Sequence, residues 1–165
     1  MVFEWEQVLK DVISEVLETM FFVMVEFQEH VAGGRCFDYE SEISLLDHDG
    51  SLSISLQVSQ KFAGMITANF LGMEENQVKD DDLKDSLREL ANMIGGAYNA
   101  HIGGADRQLG LPGAWKVQPG STCTARAGLR LAFDYFGEPA GSAVLNYLPE
   151  KTGQLFEMNR LGNGK

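Results

Sequence analysis

The chain has 165 residues, of which 44% are hydrophobic, and its 13 basic and 24 acidic side chains give a net charge of −11. This length and apolar content suit one domain with a substantial core. The acidic balance leaves no basic stripe that would follow phosphates, which argues against nucleic acid binding. The sequence has no uncharged apolar run of about 18 residues and no basic start typical of a secretory signal, so we expect a cytoplasmic protein without a membrane partner.

The first predicted element is a long helix. Apolar residues recur at helical spacing over residues 4–22, with charged residues between them. Residues 23–27 either extend this helix or begin a strand, and two glycines at 33 and 34 interrupt any regular structure.

A β-hairpin follows. Residues 39–46 and 52–58 alternate between apolar and polar side chains, which is typical of strands with one buried face. The Asp49–Gly50 pair between them favours a tight turn. Helical spacing then returns over residues 60–73 and predicts a short helix.

The next helix has two chemically different faces. At about 100° per residue, Leu83, Leu87 and Ile94 share an apolar side. Asn92 inside the helix costs a few tenths of a kcal/mol of helix stability relative to Ala, and Gly96 costs about 1 kcal/mol, so these residues weaken the helix locally. Such a loss is typical of a functional site, although simple solvation of a surface explains the same pattern. The residues on the opposite side are Asp85, Glu89, Asn92, Gly96 and Asn99.

The C-terminal part of the chain predicts three more strands. They span residues 115–124, 127–136 and 141–148, and residues 137–139 are expected to form the turn between the last two. Strands near both ends, separated by helices, predict an α+β fold in which long helices pack on one face of an antiparallel sheet. We expect one domain over residues 1–152 and a flexible tail over residues 153–165.

Cysteine and histidine spacing gives no sign of a metal site. Cys36 and Cys123 are far apart and lack a CxxC or CxxH pattern, so we expect free thiols. The three histidines are scattered, and no metal is assigned.

The first helix contains an imperfect copy of the polar pattern. Ser14, Glu18 and Phe21 repeat the offsets of the later Asp, Glu and Asn, with Phe in place of Asn. The copy suggests an internal pseudo-two-fold repeat, although chance also supplies a match of three residues.

The chain has Asp85, Glu89 and Asn92 on one helix face and Pro112 beyond the helix. This pattern resembles that of the CheC and CheX family of chemotaxis phosphatases, and the resemblance covers roughly residues 5–150. A single intact copy of the pattern is more similar to CheX than to CheC. The resemblance implies a CheC-like fold and hydrolysis of the aspartyl phosphate of a CheY-type receiver domain in two-component signalling. It also implies that this chain binds no cofactor of its own and that the receiver carries a divalent cation, Mg²⁺.

Within this resemblance, Glu89 and Asn92 are the catalytic candidates. A neutral amide offers a donor and an acceptor without repelling the phosphoryl group, so Asn92 is expected to orient the attacking water. Glu89 is expected to pair with the receiver's cationic side chain. The remaining candidates are expected to contact the partner, and they are Asp85, Gly96, Asn99 and Pro112.

The helix face is compatible with two alternative functions, and the C-terminal strands suggest an oligomeric state. The exposed helix face would also serve a receiver-binding protein that hydrolyses nothing, or a structural subunit similar to flagellar switch proteins. The hydrophobic strands over residues 127–136 and 141–148 are expected at sheet edges that invite pairing, and CheX relatives are dimeric, so we expect a homodimer.

Overall fold

The computed structural model describes residues 2–29, 36–48, 50–103, 106–121 and 128–149. Within these residues the chain forms helices and strands in an α+β arrangement, as the sequence predicts. A short 3-10 helix at Glu75–Gln77 precedes the last α-helix. The elements in chain order are α1 Val2–Phe21, β1 Glu26–Phe27, β2 Tyr39–Asp47, β3 Gly50–Val58, α2 Gln60–Leu71, α3 Asp80–His101, β4 Gln108–Leu109, β5 Gly113–Lys116, β6 Leu129–Tyr135 and β7 Glu138–Pro149.

The strands form one antiparallel sheet in the order β1-β6-β7-β3-β2-β4, with β5 also paired to β2. The β2–β3 register runs from Tyr39 opposite Val58 to Asp47 opposite Gly50, which confirms the predicted hairpin. The predicted turn between the last two strands is present but lies at residues 136 and 137 rather than 137–139, because β7 already begins at Glu138. Positive φ angles of 49° and 75° at residues 136 and 137 make this turn earlier in the chain.

The two faces of the sheet differ because side chains alternate along each strand. Ile43, Ile54 and Leu145 lie side by side across three strands and join the core. The neighbouring row on the other face contains polar residues, and there the Ser55 hydroxyl donates to the Glu42 carboxylate at 2.9 Å. The helices therefore cover the apolar face of the sheet.

Helix α1 supplies much of the core and ends at a buried aromatic residue. Phe21 is fully buried, stacks on Phe70 of α2 at 4.8 Å between ring centres, and has its carbonyl oxygen bound by the Asn69 amide at 3.0 Å. Phe21 is therefore a core residue, whereas Glu18 is exposed. The first copy of the polar pattern consequently lacks a polar third member, and the pseudo-repeat stays a prediction. None of the helices in the described ranges is long and apolar enough to cross a bilayer.

The expected sheet edges are wrong for the last strand. β7 lies between β6 and β3, inside the sheet, and β6 is bordered by the two-residue β1. The opposite edge is formed by β4 and β5 along β2. Strand order depends on long-range pairing, which the hydrophobicity of a strand does not encode. The homodimer therefore stays a prediction and loses part of its basis.

Cys36 is disulfide-bonded, so the expectation of a free thiol is wrong for this residue. Separation along the chain does not limit disulfide formation, because only the distance between the two residues in the fold matters.

Candidate functional site

A hydrogen-bonded cluster fixes the start of helix α3 against the sheet. The Tyr39 hydroxyl on β2 donates to the Asp80 carboxylate at 2.8 Å, and Lys84 forms an ion pair with the same carboxylate at 2.6 Å. Asp82 accepts the backbone N–H of Lys79 at 2.9 Å. Asp82 therefore binds the backbone at the helix start, and the three acidic residues of the first turn, 80–82, favour the helix dipole.

These contacts shift two pKa values. Hydrogen bonds from Lys84 and Tyr39 hold the pKa of Asp80 below its ordinary value. Burial, followed by the hydrogen bond to Asp80, raises the pKa of Tyr39 to about 12. Both shifts favour the charge states that keep the hydroxyl donating to an ionised carboxylate.

Close packing on β2 sets the rotation of α3. Leu87, Leu90 and Ile94 are buried on the side facing the sheet. A Cβ atom at Gly95 would lie 2.9 Å from Ile43 Cγ2, so this position needs a residue without a side chain. Because the apolar side is held against the sheet, the polar side of the helix faces outward.

Glu89 and Asn92 lie on that outward side. Glu89 is exposed and Asn92 is half-buried. Neither side chain forms a hydrogen bond or an ion pair with any of the residues that the structure describes. Residues three apart in a helix share one face, so both functional groups are available to the same partner surface.

The predicted partner residue Asp85 is already engaged within the helix. It is exposed and forms an ion pair with Arg88, three residues later. The sequence analysis overlooked this pairing, although the i, i+3 spacing of opposite charges signals it. Asp85 therefore orients Arg88 beside Glu89 and is not an unpaired carboxylate.

Gly96 and Asn99 lie farther along α3, beside the edge of the sheet. Gly96 is half-buried, and a Cβ atom there would lie 3.8 Å from Leu109 Cδ1 on β4. The half-buried Asn99 donates its side-chain amide to the backbone oxygen of Arg107 at 3.5 Å. Asn99 therefore also links α3 to the segment before β4.

The chain next to Gly96 contains a β-bulge. Leu45 pairs with Leu109, and Glu42 pairs with Gly113. Three steps along β2 thus match four along the outer strand, which leaves one extra residue within residues 110–112. Bulges are frequent at sheet edges and next to functional sites.

Pro112 belongs to this bulge and is half-buried. The N–H of Gly110 donates to the Ser44 carbonyl oxygen at 2.7 Å, which holds the bulge against β2. Leu111, between them, is 96% exposed. The bulge depends on pairing with a distant strand, so local sequence patterns do not predict it.

The site is an exposed helix face and contains no cluster suited to a metal. Across the described ranges, no three His, Cys, Asp or Glu side chains converge as metal ligands would. A pocket of about 240 Å³ lies elsewhere, between the start of α2 and the β6–β7 turn, and its lining includes Phe62, Tyr135 and Phe136. A helix face of this kind suits a macromolecular partner better than a small ligand.

The same fold occurs in solved structures of CheX and FliY proteins. CheX from Vibrio vulnificus has a TM-score of 0.73 at 17% identity, over 87% of this chain and 99% of that one. A chain of the CheX–CheY–BeF3–Mg²⁺ complex from Borrelia burgdorferi has a TM-score of 0.69 at 15% identity, over 87% and 97%. FliY from Thermotoga maritima has a TM-score of 0.58 at 10% identity, over 95% and 91%. At these identities the likeness concerns the fold.

The family itself is shown by sequence. The family model described as chemotaxis phosphatase CheX matches residues 45–133, which is more than half of the chain. The chain belongs to the CheX family, and this confirms both the resemblance and the α+β fold class expected from it. No curated protein sequence matches the chain significantly.

Proposed function

We propose that this protein accelerates hydrolysis of the aspartyl phosphate on a CheY-type receiver domain in the cytoplasm. The observation that carries the proposal is the outward placement of Glu89 and Asn92 on α3, three residues apart and without partners among the described residues. Membership of the chemotaxis phosphatase CheX family supports the reaction class. The Borrelia burgdorferi CheX structure, solved in complex with CheY, BeF3 and Mg²⁺, supports the class of partner.

In this proposal Asn92 orients the attacking water. Hydrolysis of an acyl phosphate requires water in line with the bond to the leaving carboxylate, while charge spreads over the phosphoryl oxygens. The Asn92 side-chain oxygen can accept a hydrogen bond from that water, and the amide stays neutral beside the phosphoryl group. Holding the water in this geometry removes much of the entropic cost of the reaction. The Mg²⁺ belongs to the receiver in this scheme, and this chain supplies no metal ligand.

Glu89 has a different role in the proposal, because a carboxylate would repel the phosphoryl oxygens. One helical turn before Asn92, it would pair with the cationic Lys of the receiver and set the orientation of the two proteins.

The test is to follow loss of phosphate from a phosphorylated CheY-type receiver of the same organism. Asn92→Ala is expected to lower kcat by about 10²-fold while receiver binding persists, because only water positioning is lost. Asn76→Ala is the matched control, since Asn76 is an exposed residue on the 3-10 helix and is not part of the α3 face. An Asn92→Ala variant with the wild-type kcat would disprove the assignment.

The rival function is a receiver-binding protein without catalysis, or a subunit of the flagellar-switch type. Its basis is the single intact pair, since the first helix has a buried Phe21 where α3 has Asn92. Binding of the phosphorylated receiver without any change in phosphate lifetime would favour this rival. A homodimer is also part of the proposal, and light scattering at moderate concentration tests it.

A further inference from the structure

The outer edge of the sheet presents apolar side chains next to the proposed catalytic face. Leu109 on β4 is 40% exposed and Leu111 in the bulge is 96% exposed. The Leu109 side chain lies 3.8 Å from the Cβ position of Gly96, on the same side of the sheet as α3. Gly96 is four residues beyond Asn92, which corresponds to about 6 Å along the helix. The Leu109 side chain is therefore a neighbour of the Asn92 face, and Leu111 follows two residues later on the same outer segment.

The bulge is also rigid enough to present a side chain at low entropic cost. The hydrogen bond from Gly110 to Ser44 fixes one side of the bulge, and the pairing of Gly113 with Glu42 fixes the other. Pro112 has a fixed φ angle and restricts Leu111 to extended conformations. A side chain held in place before binding loses less conformational freedom on docking.

We propose that Leu109, Leu111 and Pro112 form a docking surface for the receiver domain, here named the bulge surface. This inference rests on the proposed function and extends it from the catalytic pair to the residues that give affinity. Glu89 and Asn92 act at the phosphorylated site, and the bulge surface supplies apolar contact beside it. An exposed leucine on a rigid support buries its apolar area on docking with little loss of conformational freedom.

The usual size of a protein interface indicates that a receiver bound at Asn92 would also cover the bulge surface. A stable complex buries about 800 Å² on each partner, which corresponds to a patch about 30 Å across. A receiver centred on Asn92 therefore covers a surface lying one helical turn away. The net charge of −11 on this chain gives no general attraction for a phosphorylated partner, and the bulge surface offers apolar contact as another source of affinity.

The test measures kcat and KM for the phosphorylated receiver in Leu111→Ser. Because Leu111 is almost fully exposed, the substitution leaves the fold intact. We expect KM to rise by about tenfold, with kcat unchanged, as for loss of a strong interface contact. Met24→Ser is the control, since Met24 is 74% exposed in the segment after α1 and outside the bulge surface, and its KM should stay at the wild-type value.

Three outcomes would overturn the inference or separate it from the proposed function. A wild-type KM in Leu111→Ser, with an active parent protein, rejects the docking role and leaves the phosphatase proposal intact. If the parent protein does not accelerate phosphate loss, the phosphatase proposal fails, but calorimetric titration with the phosphorylated receiver still tests docking. Equal affinity of the parent protein and Leu111→Ser in that titration rejects the docking role of the bulge surface. A change from dimer to monomer in Leu111→Ser without a change in KM assigns the surface to self-association.

Discussion

Two adjacent glycines of α3 are expected to respond in opposite ways to the same substitution. Replacing Gly by Ala inside a helix gains about 1 kcal/mol from helix propensity. At Gly96 the new methyl would lie 3.8 Å from Leu109, which is an ordinary contact, so Gly96→Ala should gain most of that amount. At Gly95 it would lie 2.9 and 3.0 Å from two Ile43 atoms. Overpacking of this kind costs about 1–3 kcal/mol, so Gly95→Ala should lose about 0–2 kcal/mol overall.

Urea unfolding followed by circular dichroism measures both free energies of unfolding, and thermal melts give an independent check. For a chain of this size, 1 kcal/mol corresponds to about 2–4 °C in Tm. Gly96→Ala should therefore melt above the wild type and Gly95→Ala at or below it. If Gly95→Ala proves as stable as Gly96→Ala, the close approach of α3 to β2 is not the reason for the glycine.

The same pair separates stability from function. Gly96 lies on the outward face beside the bulge surface, so its added methyl would meet a docked receiver. Gly96→Ala is expected to raise KM for the phosphorylated receiver in spite of its higher stability. A more stable variant with unchanged KM would remove Gly96 from the predicted contact residues.

Two further predictions concern stability. Tyr39 donates a hydrogen bond to Asp80, and burial together with that carboxylate raises the pKa of Tyr39 to about 12, so the stability it contributes is present below pH 10 and is lost between pH 10 and 12. The Tyr39→Phe variant should be about 1 kcal/mol less stable at pH 7 and should lose less stability between pH 10 and 12. The control Tyr98→Phe should not be destabilised at pH 7, because the Tyr98 hydroxyl has no hydrogen-bond partner among the described residues. Denaturant titrations at pH 7, 10 and 12 measure the free energy of unfolding of both variants. Phe22→Gly should raise the free energy of unfolding in urea by about 1 kcal/mol, because Phe22 is 71% exposed and has a φ of 59° after the end of α1. Phe136→Gly should give a smaller gain, because the Phe136 ring contacts Tyr135. Equal gains in the two variants would contradict this reasoning.

Local periodicity determined much of what the sequence predicted correctly. The 3.6-residue repeat of α3 already separates Leu87 from Glu89 and Asn92, and a helix needs no distant residue to define its two faces. The β2–β3 hairpin follows from alternation and a tight turn for the same reason. These features place the catalytic candidates on an outward face before any tertiary contact is known.

Only the tertiary structure decided how distant segments meet. The bulge that presents Leu111, the placement of β7 inside the sheet and the disulfide at Cys36 all depend on contacts between residues far apart in the chain. Phe21 offers the clearest contrast with Asn92: both occupy the third position of similar helical patterns, yet packing against Phe70 buries the first. Helix and strand periods report which side chains share a face, whereas pairing and packing determine what that face meets.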